Sequence, residues 1–134
     1  MIAVDASVLV AALIDSGPLG EWAEDQLVDG GILYAPSIVH TEATNALRRT
    51  EIAGQIEPSV AAIAFADLQQ VRMRLVPFEL LAARIWELRA NVTSYDAAYV
   101  ATAELINSPL ATLDIRLTNA PGPTCSFVSP PALT

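Results

Sequence analysis

A chain of 134 residues can bury a substantial core and is too short for two comfortable domains, so residues 1–134 are read as one domain. A content of 53% hydrophobic and 16% charged residues excludes a disordered chain, and no run of about 18 apolar residues free of charge and proline could span a bilayer. Fifteen acids against seven bases, all seven arginine, give a net charge of −8, which excludes a protein that coats nucleic acid by bulk charge. The lone Cys125 rules out an internal disulfide. The apolar opening lacks a basic flank and contains Asp5, unlike a signal peptide, so the expected compartment is the cytoplasm.

In chain order, Ile2 to Val4 predicts a strand ending at Asp5, and Val8 to Ile14 an apolar helix that Gly17-Pro18 terminates. A helix over about Leu19 to Val28, with Trp22 and Leu27 inward, stops at Gly30-Gly31. Ile32 to Ala35 is the next strand. Pro36-Ser37 then opens a helix, with Ser37 as expected N-cap and Val39, Ala43, Ala46 and Leu47 on one face. After Gly54, Pro58-Ser59 starts a helix carrying Val60, Ala64, Leu68 and Val71 in register. Leu75-Val76 forms a short strand, and Glu79 to Arg89 a helix repeating Leu81, Ile85 and Leu88. Ser94 is the expected N-cap of an almost wholly apolar helix from Ala97 to Ile106, the most buried one, which Asn107-Ser108-Pro109 ends. Leu110 to Leu113 is a strand with Asp114 directly after it. A last strand over Ser126 to Val128 precedes a proline-containing tail, residues 129–134. Short strands alternating with helices predict an α/β fold: a mostly parallel central sheet of about five strands, flanked by helices on both faces and joined by right-handed crossovers.

In such a sheet, ligands bind outside the carboxyl ends of the strands. Asp5 and Asp114 lie at two such ends, Asp96 lies in the first turn of the buried helix, and Glu42 lies at the edge of an apolar helical face. Each has an ordinary role open to it: Asp5 as a helix cap, Asp114 as a turn or cap residue, Asp96 as a dipole-favoured acid, Glu42 as a solvated one. What sets them apart is convergence on one rim. Four nearby carboxylates cannot all stay ionised without cations, and a hard divalent ion with oxygen ligands is the natural remedy. With the four acids so used, the rest of the surface carries −8 + 4 = −4.

These acids sit in strings that resemble the PIN-domain family, in particular the VapC-like toxins of bacterial toxin–antitoxin pairs. Ile2-Ala3-Val4-Asp5-Ala6-Ser7 resembles the family's first motif, and Glu42 with Asn45, Ala46, Leu47 and Arg49 its second. Tyr95-Asp96-Ala97-Ala98-Tyr99-Val100-Ala101 resembles the third, and Leu110-Ala111-Thr112-Leu113-Asp114-Ile115-Arg116-Leu117 the fourth. The motifs stand in family order across almost the whole chain. The resemblance implies a PIN-like domain whose catalytic, metal-binding acids are Asp5, Glu42, Asp96 and Asp114, with Ser7 as a hydroxyl near metal or phosphate. It implies Mg²⁺-dependent endonucleolytic cleavage of RNA by metal-activated water, leaving 5′-phosphate and 3′-hydroxyl ends. Mn²⁺ is an equal fit by ligand type. Thr112 would help position Asp114, while Arg116, Asn45 and Arg49 would contact phosphate or support the site. It also implies a homodimer and a cognate antitoxin, and the acidic site suggests that the antitoxin's C-terminal tail inserts an arginine or lysine among the acids.

His40, two residues before Glu42, is read as structural, and Trp22 and Trp86 as core or interface. Receiver domains and haloacid-dehalogenase-like phosphatases also gather acids at strand ends, but both need a lysine, and this chain has none. Two alternatives stay open: a PIN nuclease in RNA processing or DNA repair without an antitoxin, and a PIN-fold binding module without catalysis.

Overall fold

The computed structural model describes residues 1–131. Its elements are β1 (Ile2–Val4), α1 (Ala6–Ile14), α2 (Pro18–Asp29), β2 (Leu33–Pro36), α3 (Val39–Ile52), α4 (Pro58–Leu68), β3 (Arg74–Val76), α5 (Phe78–Glu87), α6 (Ser94–Leu105), β4 (Leu110–Ala111), α7 (Ile115–Thr118) and β5 (Phe127–Val128). The expected strands and helices are all present, and the single-turn α7 is additional. Two of the expected breaks have a backbone cause: Gly31 and Gly54 stand at φ 71° and 75°, where a side chain is strained. Asn107, at φ 51°, ends α6 the same way.

The five strands form one sheet in the order β3-β2-β1-β4-β5, parallel throughout. Ala3 pairs with Tyr34 of β2 and Leu110 of β4, so β1 is central, and its three residues are all buried. The chain builds outward from β1 through β2 to β3, then returns to the other side of β1 for β4. Connections leaving β1 and β4 therefore diverge, which opens a crevice at the carboxyl ends of these two strands. One group of helices is made by α1 packing on α2, α3 and α4; the other is α5 on α6, with α6 against β1, β2 and β4. Residues Ala97 to Ala103 of α6 are all buried, making it the enclosed helix its composition predicts.

Several local expectations are corrected. Ser37 does not cap α3: its hydroxyl donates to the Val76 carbonyl at 3.0 Å, tying the end of β2 to β3, and Ile38 holds the cap position. Thr93, not Ser94, caps α6, accepting from the Asp96 N–H at 3.2 Å. β4 ends at Ala111 because the Leu113 N–H bonds the Ser7 hydroxyl instead of a neighbouring strand. On α4 the buried face is Ala61, Ala64 and Leu68, which leaves Val60 41% exposed. Trp22 packs partly buried against the core, whereas Trp86 is 67% exposed, with the Arg89 guanidinium 4.3 Å from its ring centroid. Of the expected tail, Pro130 is buried, and residues 132–134 lie outside the described residues.

The long connection from α7 to β5 is held by one ionic cluster. Arg84 of α5 donates from Nε to Glu104 Oε1 of α6 at 2.6 Å, from Nη2 to Glu104 Oε2 at 3.2 Å, and from Nη2 to the Gly122 carbonyl at 2.9 Å. Glu104 Oε2 also accepts from the Thr124 N–H at 2.8 Å. The guanidinium and this backbone amide draw the Glu104 carboxyl below its ordinary range against the opposing effect of burial. Replacing Glu104 by alanine removes the acceptor shared by the guanidinium and the Thr124 amide, leaving Arg84 with Glu87 and the Gly122 carbonyl. A loss of about 2 kcal/mol in urea unfolding is expected, with faster amide exchange across residues 119–124.

Candidate active site

Asp5 ends the central strand and is 7% exposed, an unusual depth for a carboxylate. Its position is set by β1, whose apolar side chains fill the core, and by the turn into α1, which it caps by accepting from the Val8 N–H at 3.1 Å. Two hydroxyls satisfy the rest. Ser7 Oγ donates to Asp5 Oδ1 at 2.5 Å, and Thr112 Oγ1 donates to Asp5 Oδ2. Each hydroxyl also accepts a backbone amide from the segment leaving β4: Ser7 from Leu113 at 3.2 Å, Thr112 from Asp114 at 3.0 Å. The proton of each hydroxyl is thereby committed to Asp5, and this carboxylate locks the exits of β1 and β4 to one another.

Asp114 caps α7, accepting from the Arg116 and Leu117 N–H groups at 3.0 and 3.4 Å. Asp96 lies in the first turn of α6 and Glu42 in the first turn of α3. The ordinary capping roles of Asp5 and Asp114 are thus real, and they fix where these carboxylates sit. Burial raises the Asp5 carboxyl to about 6, with the Asp96 charge adding to it and the Ser7, Thr112 and Val8 hydrogen bonds opposing it. Asp96 is raised by burial first, then by the charges of Asp114 and Glu42. Asp96 is thus coupled to each of the other three acids.

The acids have little protein cation beside them. Among the described residues no ion pair reaches Asp5, Glu42 or Asp96. Asp114 is approached by Arg116 Nε at 3.9 Å, but the arginine side chain is 92% exposed, so the pair is well screened. The donors are all hard oxygens, which suits Mg²⁺ or Mn²⁺. No three acids among the described residues are gathered closely enough to form a ready-made metal cage. A hydrated ion that keeps several waters needs no such cage.

The other expected site residues are dispersed. Asn45 and Arg49 are exposed on α3, and Arg49 stands in its last turn, where the helix dipole favours a cation. His40 lines a cleft with Phe65 and Leu68 of α4. An apolar hollow of about 520 Å³, lined by Ile38, Phe78, Ile85 and Tyr95 among others, contains none of the four acids. Sequence reasoning missed Tyr99, whose hydroxyl donates to Glu42 Oε1 at 2.5 Å. Burial and the adjoining Glu42 carboxylate push this phenol above its ordinary range, so it stays a neutral donor. The available signal was its spacing, three residues after Asp96, which places both on neighbouring positions of one helix face.

Residues 2–123 match the PIN domain family model. The chain belongs to the PIN-domain family. It is 34% identical to Ribonuclease VapC9 of Mycobacterium tuberculosis over 98% of this chain and 99% of that protein. With Ribonuclease VapC1 of the same species it shares 37% identity over 92% of this chain and 93% of that one. These likenesses place it among the VapC-like members. In fold it is similar to a chain of the VapBC2 crystal structure from Rickettsia felis, bound to a DNA fragment from their promoter. The TM-score is 0.65 at 16% identity, covering 96% of this chain and 98% of that one.

The raised Asp5 has a thermodynamic consequence in metal-free protein. A carboxyl that titrates near 6 when folded and near 4 when unfolded binds more protons in the native state between those values. Its contribution therefore falls as pH rises from about 4 to about 6, by roughly 3 kcal/mol in total. Asp5→Asn should flatten this part of the profile, measured as thermal unfolding against pH in EDTA.

Proposed function

We propose that the chain is a metal-dependent endoribonuclease, the toxin of a VapBC-type toxin–antitoxin pair, and that Asp5, Glu42, Asp96 and Asp114 are its metal-binding acids. The observation that carries this reading is the acid cluster at the β1–β4 crevice, short of protein cations, in a chain 34–37% identical to VapC ribonucleases along nearly its full length. Mg²⁺ is the expected ion, and Mn²⁺ fits the same donors. Held by these acids, the ion would supply Lewis acidity at a phosphoryl oxygen and a water of lowered pKa.

The residues themselves divide the work. Ser7, Thr112 and the Val8 amide hold both oxygens of Asp5 in place, so this acid needs no reorganisation when it takes up its load. Thr112 also holds the Asp114 amide, so the acids of β1 and β4 keep a fixed relation. Ser7 serves the site through Asp5. Arg116, on the rim beside Asp114, and the exposed Arg49 and Asn45 are the polar groups offered to an RNA backbone.

An acidic site without its own cation is also a receptor for one, which supports a cognate antitoxin whose C-terminal tail places an arginine or lysine among the acids. The apolar side chains left exposed on α4 and α5, Ile63, Phe78 and Leu80 among them, support self-association or antitoxin contact. No helix among the described residues is long and apolar enough to cross a membrane, and with the unpaired Cys125 this supports action in the cytoplasm.

Purified protein incubated with a cellular RNA pool tests the reading. Cleavage with Mg²⁺ should leave 5′-phosphate ends, stop in EDTA, and fall by at least about 100-fold in the Asp96→Asn protein. Cleavage that persists unchanged in EDTA or in the variant would overturn it.

A further inference from the structure

Tyr99 is 3% exposed, its ring belongs to the hydrophobic core, and its hydroxyl meets Glu42 Oε1 at 2.5 Å across 57 residues of chain. The hydroxyl has one proton and gives it to a carboxylate oxygen of the neighbouring helix. Glu42 is only partly buried and lies on the first turn of α3, so its three rotatable bonds would otherwise leave the carboxylate free to swing into solvent. Asp5 is held by hydroxyls of Ser7 and Thr112, and Asp114 by the amides of α7; Tyr99 gives Glu42 an anchor of equivalent kind. It is moreover carried by α6, the helix that bears Asp96, so the anchor ties two acids from different helices.

We propose that Tyr99 is a positioning residue: its hydroxyl holds Glu42 Oε1 and so fixes how this carboxylate is offered to a metal ion. The inference rests on the metallonuclease reading above. A tyrosine kept only to fill the core would need some acceptor for its hydroxyl, but the affinity of the site would not depend on it. Tyr99→Phe retains the ring and removes the anchor. Thr102→Val serves as a structural control: it deletes a fully buried hydroxyl of the same helix, one that donates to the Ala98 carbonyl at 2.8 Å and touches no acid.

Mn²⁺ titrated calorimetrically into wild-type and variant proteins, without RNA, reads the effect directly. Tyr99→Phe is expected to weaken Mn²⁺ binding about 10-fold and to lower kcat for RNA cleavage similarly, with KM for RNA little changed. Thr102→Val should keep wild-type affinity, and Tyr99→Phe should add no further loss in a Glu42→Gln background. Wild-type Mn²⁺ affinity and kcat in Tyr99→Phe would overturn the positioning role alone, as would an equal loss in Thr102→Val. Failure of the wild-type protein itself to take up Mn²⁺ would overturn the metallonuclease reading and this inference with it.

Discussion

A carboxylate buried at the end of the central strand governs this architecture. Asp5 is only 7% exposed, so most of its stabilising contacts must come from the protein, and they add side-chain bonds to the pairing of β1 with β4. Ser7 and Val8 belong to the turn of α1, while Thr112 belongs to the exit of β4, 107 residues away. Because the two hydroxyls also accept amides of Leu113 and Asp114, the demand of one buried acid fixes the conformation of a second strand exit. Burial nevertheless wins over these hydrogen bonds, as the upward shift to about 6 records. Asp5 is held firmly but not made comfortable.

The same tension runs through the rest of the rim. Asp96 is raised by burial and by its acidic neighbours, and no cation of the protein is near enough to offset them apart from the exposed Arg116. A chain selected for stability alone would not set a half-buried Asp96 among acids that raise it further. Departures of this kind, where local electrostatics oppose folding, concentrate at functional sites. The offset comes from elsewhere: a sheet buried on its central strands, the enclosed α6, and the Arg84–Glu104 cluster at the other end of that helix.

Fold likeness and sequence likeness carry different weight here. At 16% identity the Rickettsia structure establishes only that the backbone follows the same path. Identity of 34–37% across nearly whole chains establishes the family, and Asp5 and Asp114 follow the two strands that flank the topological switch of a parallel sheet.

Much of this was legible in the sequence. Element order, the parallel α/β class and the enclosure of α6 follow from periodicity and composition, since burial on one face or on all faces leaves a repeat in the chain. The four acids stood out because each falls at a strand exit or a first helical turn. What periodicity cannot encode is which polar group satisfies which. Ser37 looked like a cap and instead bonds Val76; Ser94 yielded its cap to Thr93; Thr112 serves Asp5 as well as Asp114; and Tyr99, in the string around Asp96, bonds Glu42. Apart from the cap and the Thr112–Asp114 bond, these pairings join residues far apart in the chain. A hydroxyl's direction is decided only after packing has removed water and left one acceptor within reach. The sequence by itself determined the strands, the helices and the acids; the tertiary structure decided how those acids are held, because hydrogen-bond partners are chosen by burial in three dimensions.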